Sequence, residues 1–182
     1  MSSTGLAAVD VSNEGRSRRM AGSARASALA DRIEEGARSL AAFAEGLSEA
    51  EWKTPMASGS DRRTVGVIVH HVANMYPIEI DVAKAVAAGG AVDVTWEAVA
   101  DINAKHAAET AGVTKSAALD LLRKNSRAAA DAVRSLTDAE LDRAAPFGLS
   151  YGAPMTAQFV IEDHALRHSW HHLARIRKAL KR

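Results

Sequence analysis

Apolar residues recur three or four positions apart along four long stretches of this 182-residue chain, the period of an α-helix that buries one face. The first stretch covers about residues 26–47, with Leu29, Ile33, Ala37, Leu40 and Ala44 in step. The second covers about residues 64–88 and stops at Gly89-Gly90. Pro77 lies inside it, removes one backbone hydrogen bond and predicts a kink. The third runs over about residues 114–136 and carries Leu119, Leu122, Ala129 and Val133. The fourth opens at Thr156, a capping residue, and continues to the basic C-terminus. Between them, Ser48 and Glu51 form a capping-box pattern ahead of Pro55 and Gly59. Thr95 opens a shorter helical segment to about Thr110, broken by Gly112, and Thr137 to Leu141 reads as a small turn suited to a helix start. Residues 146–154 read as a loop, and no stretch carries a strand signal. The expected fold class is all-α, a four-helix bundle with short extra helices in its loops. Residues 1–24, rich in Ser, Gly, Ala and Arg without a period, read as a flexible N-terminal tail, and residues 25–182 as the bundle.

Hydrophobic residues make up 47% of the chain but aromatics only 4%, so a core of small side chains on closely packed helices is expected. Lys and Arg total 23 against 22 Asp and Glu, which leaves no global field to grip nucleic acid or a membrane. The absence of cysteine removes disulfides, Cys-type zinc sites and a cysteine nucleophile. No stretch approaches the roughly 20 apolar residues of a membrane span, and Arg16, Arg18, Arg19 and Arg25 accompany no apolar segment of signal-peptide length. A cytoplasmic protein with neither nucleic-acid nor membrane partners is the expectation.

Seven histidines carry most of the remaining information. A helix turns about 100° per residue, so each can be assigned a face. On the second helix Val67, Ile68, His71, Met75, Ile78 and Val82 share one stripe, with His71 near its middle. His70 is rotated towards Asn74 and Asp81 and should face solvent or a neighbour's edge. On the last helix Ile161, Ala165, His168, His172 and Ile176 form an inward arc, opposite Asp163, Arg167, Arg177 and Lys178. His171 falls off the arc and His164 sits on its border. Two histidines at i,i+4 present both rings on one face, and a third from a facing helix completes a set that leaves a metal an open position. His71, His168 and His172 are therefore the expected metal ligands, with His164 in reserve. Core hydrogen bonding would explain one inward histidine; three without a common partner would be costly.

The run Thr64-Val-Gly-Val-Ile-Val-His-His71-Val-Ala resembles the second-helix segment of the DinB-like superfamily, an apolar run leading into one metal-binding histidine. The run His168-Ser-Trp-His-His172-Leu-Ala-Arg-Ile176 resembles that family's last-helix signature. The segment from Ile102-Asn103 to Leu136-Thr-Asp-Ala-Glu-Leu-Asp142 is also similar. The resemblance implies up-down-down-up connectivity, a three-histidine site near one end of the bundle, and often a homodimer. It also implies chemistry akin to thiol S-transferases that use bacillithiol, mycothiol or glutathione, or to the mycothiol-dependent maleylpyruvate isomerase. Arg175 departs from the pattern, standing where a glutamine is frequent after the final ligand.

Three neutral imidazoles would leave a divalent metal (zinc, nickel or iron) its full positive charge, acidifying a bound water or holding a thiol as thiolate. The first outcome gives hydrolysis and the second thiol transfer, which is preferred; without a cysteine, the thiol would have to arrive as a low-molecular-weight cofactor. A non-catalytic stress-response protein that binds a metal or small ligand is the alternative. Glu79, Glu162 and Asp163 are candidates to orient the imidazoles. Asn103, His106, Tyr76 and Trp170 are candidates to line a pocket for a small-molecule substrate, and Tyr151 to cover the metal end.

Overall fold

A computed structural model of the chain describes residues 23–56 and 62–182. Hydroxyl side chains open its helices, each accepting a hydrogen bond from a backbone N–H that the first turn leaves without a partner. Ser23 caps α1 (Ala24–Glu45), and Ser48 caps α2 (Glu49–Trp52) in a capping box with Glu51. Thr64 caps α3 (Val65–Ala87), Thr95 caps α4 (Trp96–Glu109) and Thr114 caps α5 (Lys115–Arg134). Thr137 starts the short α6 (Asp138–Asp142) through a second capping box. Thr156 caps α7 (Ala157–Ile161), which passes through a π-helical turn, Glu162–Leu166, into α8 (Arg167–Leu180).

The structure differs from the sequence reading in two places. Within the segment read as a loop, β1 (Ala144–Pro146) pairs antiparallel with β2 (Pro154–Thr156) around a 3₁₀ turn, Gly148–Ser150. Each strand is three residues long and contains a proline, too short and too irregular for an alternating pattern to register. The π turn interrupts what read as one uninterrupted last helix. The expected tail falls largely on residues 1–22, and the expected turn residue Gly59 on 57–61, both outside the described residues; Ser23 and Ala24 belong to the start of α1.

Side-chain pairings fix the directions of the four long helices. Arg123 pairs with Glu45 and Arg134 with Asp31, so α5 runs antiparallel to α1. The Trp52 indole sits against Gly66 and donates to the Val113 carbonyl at 3.1 Å, bringing the starts of α3 and α5 together; these two run parallel. Tyr76 meets Ser169 and Glu79 meets His168, so α8 is antiparallel to α3. On its other side α8 runs parallel to α1, with Ser169 beside Gly36 and Arg177 over the Phe43 ring at 5.3 Å. A Cβ at Gly36 would lie 3.3 Å from the Ser169 Cβ and 2.9 Å from the Trp170 indole nitrogen, so glycine permits this close approach. The result is the up-down-down-up bundle. Its core interleaves Ile33, Leu40, Ile68, Leu122, Ile161 and Ile176, all fully buried, with many alanines.

Because α3 and α5 run parallel, the chain must cross the length of the bundle between them. That crossover contains α4, and the β-hairpin pins its start. The Val92 N–H donates to the Pro146 carbonyl at 2.9 Å and the Gly148 N–H to the Val92 carbonyl at 2.8 Å. Among the described residues no helix is long and apolar enough to cross a membrane.

The helix α3 continues through Pro77. Proline has no N–H for the Ala73 carbonyl, and Ala73 is fully buried. The Asn125 amide on α5 supplies the missing donor at 2.9 Å. Asn125→Ala should therefore cost about 1–3 kcal/mol, the penalty of a buried carbonyl without a partner. Adding Pro77→Ala, which restores the helical donor, should recover most of that loss. Urea denaturation of the single and double variants measures both; purely additive effects would contradict the compensation.

Candidate metal centre

The antiparallel contact of α3 with α8 brings three histidines into one cluster. His71 comes from α3, and His168 and His172 from successive turns of α8. His71 and His172 are each 5% exposed. Ring centroids are separated by 5.0 Å (His71–His168), 5.4 Å (His71–His172) and 4.8 Å (His168–His172). One ring nitrogen from each lies within 4.8 Å of the others. The Nε2 atoms of His71 and His168 approach to 3.2 Å.

Glu79 completes the arrangement. His168 Nδ1–H donates to Glu79 Oε1 at 2.6 Å, which fixes the tautomer and leaves the Nε2 lone pair directed at His71. Both partners are largely buried, with side-chain exposures of 13% and 7%. The other two carboxylates considered from the sequence are engaged elsewhere. Glu162 accepts from Gln158 at 2.9 Å, and Asp163 pairs with Arg167 at 3.0 Å.

The cluster opens onto a cavity of about 370 Å³ walled by α3, α4, the hairpin and the π turn. Met75, Ile78 and Val82 supply one apolar wall and Trp96, Val99 and Ile102 another. Three apolar members of the α3 stripe that read as inward, Met75, Ile78 and Val82, are therefore cavity wall; Ile78 is 38% exposed. Asn103 lines the cavity, with its side-chain oxygen buried and without a hydrogen-bond partner among the described residues. His164 lines it as well, edge-on to Phe147 at 5.6 Å, outside the three-histidine group. His171, exposed at the rim, faces the His172 ring edge at 5.1 Å.

Four candidates, Tyr76, His106, Tyr151 and Trp170, do not line the cavity. Tyr76 is fully buried in the core, where its hydroxyl pairs with Ser169 Oγ at 2.7 Å and burial pushes its phenol pKa up. It stands one position on from Met75, which turns it to a different face of α3. Trp170 lies over α1 against Gly36 and is 38% exposed. Tyr151 is 92% exposed at the hairpin tip, held outward by a left-handed φ of 55°, and does not line the cavity of the cluster. His106 is buried behind His71, their ring centroids 5.5 Å apart, and its Nε2 shares a hydrogen bond of 2.8 Å with His70 Nδ1. The helical face assigned to His70 left solvent or a neighbour's edge open; the structure gives the neighbour, His106, which nothing in the sequence identified. Ser169, innermost on α8, was also missed, because the π turn shifts the phase of the preceding helix.

The residues present fit a divalent ion. Nitrogens bound tetrahedrally at about 2.0–2.1 Å sit roughly 3.3 Å apart, close to the 3.2 Å between the two Nε2 atoms. Imidazoles suit borderline metals, and the carboxylate behind His168 is the usual support of a histidine ligand. His172 Nδ1 is buried without a hydrogen-bond partner among the described residues, the kind of defect that an ion in the cluster would offset. Burial drives the His172 pKa far below the ordinary histidine range, and His168 and His71 add to the effect, so the ring is neutral and able to donate its lone pair. Burial also lowers His106, aided by His70, and lowers His164 against the opposing pull of Glu79 and Asp163.

An up-down-down-up bundle with three imidazoles gathered between its second and fourth long helices defines a class of bundle protein built around a potential metal site. The sequence matches the DinB superfamily over residues 32–176, and the chain belongs to that superfamily. Among solved structures it is similar to YfiT from Bacillus subtilis, with a TM-score of 0.67 and 20% sequence identity over 97% of this chain and 91% of that one. YfiT is described as a probable metal-dependent hydrolase with an unusual four-helix bundle topology. No curated protein matches the chain.

The buried neutral histidines set the acid limit of the metal-free protein. Their folded pKa values lie below the unfolded value of about 6.5, so the unfolded chain binds more protons as pH falls through that value. Stability should be level above about pH 7 and decline on acidification. His172 alone should account for about 1.4 kcal/mol between pH 7.5 and 5.5. Urea titrations at the two pH values test this; equal or greater stability at pH 5.5 would contradict it.

Proposed function

We propose that the protein is a divalent-metal-dependent transferase that joins a small thiol to an electrophilic substrate, with His71, His168 and His172 as the metal ligands. The observation that carries this reading is the convergence of three buried imidazoles, one backed by Glu79, at the edge of an apolar-walled cavity. When bound, the ion supplies Lewis acidity and lowers the pKa of a water or thiol that it holds. Glu79 holds His168 in the tautomer whose Nε2 is a donor to metal. Burial keeps His172 unprotonated, and the apolar walls limit the access of bulk water.

The carboxylates favour a thiol over water as nucleophile. Those on the cavity are Glu79, whose Oε1 accepts from His168, and Asp163, paired with Arg167, so proton transfer to either competes with an existing partner. A thiol, with a pKa of about 8.5, ionises far more readily than water and depends less on a general base. The chain has no cysteine, so the thiol comes from a small molecule. Hydrolysis is the second reading, favoured by the likeness to YfiT and by what that protein is described as doing. In that case His164 or His171, both on the cavity wall, would accept the proton of the attacking water.

Protein purified without a polyhistidine tag should carry about one equivalent of metal by elemental analysis. His168→Ala and His172→Ala should abolish metal and activity together, and Glu79→Gln should weaken metal affinity about 10- to 100-fold without unfolding the bundle. Full metal occupancy in the His168→Ala/His172→Ala double variant would remove the reading. Metal-dependent turnover of a low-molecular-weight thiol with a chlorodinitrobenzene acceptor supports transfer. Thiol-independent cleavage of nitrophenyl esters would replace it with hydrolysis.

A further inference from the structure

We infer that the cavity takes a substrate with an extended, uncharged apolar arm, seated between α3 and α4, and that Trp96, Val99 and Ile102 set this preference. The inference deepens the reading above and rests on it for the reaction, but its support comes from the wall opposite the histidines.

The helix α4 is the anomaly. It has 14 residues, yet His106 is its one buried residue. Its large apolar side chains remain open, Trp96 at 57% and Ile102 at 39% exposure. Trp96, Val99 and Ile102 recur every three positions, one row on one face, and all three line the cavity. Across the space stand Met75, Ile78 and Val82 of α3. Two apolar rows thus face each other across a gap that neither fills, next to the proposed reaction centre. A helix packed on a bundle ordinarily buries its apolar row against the bundle. Here an apolar guest would complete the packing.

The charges on the cavity argue for a neutral arm. The four charged side chains on the lining, Arg63, Glu79, Asp163 and Arg167, sum to no net charge, with Glu79 accepting from His168 and Asp163 paired with Arg167. A charged group on the arm would give up water between the two apolar walls with no net charge of the lining to offset the loss. A volume of about 370 Å³ suits a small molecule rather than a protein segment.

The test uses the full chain, metal-loaded and metal-free, titrated with 1-butanol, 1-hexanol, 1-octanol, octanoate and octylammonium. Tryptophan fluorescence or calorimetry gives the affinities. The expected result is a gain of about fourfold per added methylene in both forms of the protein, with 1-octanol at least tenfold tighter than either charged chain in the metal-free form. Ile102→Asp, at a partly exposed position, should weaken 1-octanol at least tenfold with metal content and melting temperature unchanged, and Ile102→Leu should retain binding. Should the aspartate variant not fold, Val99→Ala is expected to weaken 1-octanol several-fold. A flat chain-length series, a preference of the metal-free protein for octanoate or octylammonium, or an Ile102→Asp change that alters only the oligomeric state would overturn the inference, the last by assigning the α4 face to a second copy of the chain. Chain-length dependence in a protein that binds no metal would leave this inference standing and remove the metal reading. Tight metal binding with a flat series would do the reverse.

Discussion

The hydrogen bond from His168 to Glu79 is the interaction on which the arrangement of the cluster depends. Packing three imidazoles between two helices removes them from water, and each polar nitrogen then needs a partner. Glu79 takes the outer proton of His168 and so determines which nitrogen turns inward. One turn of α8 then sets His172 beside it, and antiparallel packing brings His71 opposite. The neighbouring Tyr76–Ser169 hydrogen bond, buried a layer deeper, ties the same two helices and keeps their register. The neutral state of His172 follows from the same burial: a proton there would place a charge in a low-dielectric site beside two further imidazoles.

The connectivity turns that cluster into a site with an entrance. Parallel α3 and α5 require a long crossover, and this one carries α4 past the histidines instead of packing it fully on the bundle. The hairpin holds the start of the crossover through Val92, and Phe147 beside it closes the cavity near His164. The π turn precedes the ligand-bearing part of α8 and adds one residue to the helical repeat. The row that α7 buries is thereby offset from the row that α8 presents to α3.

Much of this was legible in the sequence, for local reasons. The caps Ser48, Thr64, Thr95, Thr114, Thr137 and Thr156 read directly as helix starts, because a hydroxyl before an apolar period satisfies backbone donors that nothing else reaches. Helical phase was enough to single out His71, His168 and His172, which the structure places side by side. What was not legible depends on contacts distant in sequence. The pairing of Asn125 with Ala73 and of His70 with His106 joins separate helices and leaves no periodic trace. The strands of the hairpin are too short for one. A cavity wall and a core wall look alike in an apolar stripe, so Met75 and Ile78 read as core when they border open space.

X-ray absorption at the edge of the bound metal tests the central claim most directly. Three imidazole nitrogens at about 2.0–2.1 Å, with the multiple-scattering pattern of histidine rings and one or two lighter, exchangeable ligands, are expected for zinc. One ring should vanish from the first shell in His71→Ala if the metal stays bound. A shell of oxygen alone, or a spectrum that His71→Ala leaves unchanged, would contradict it.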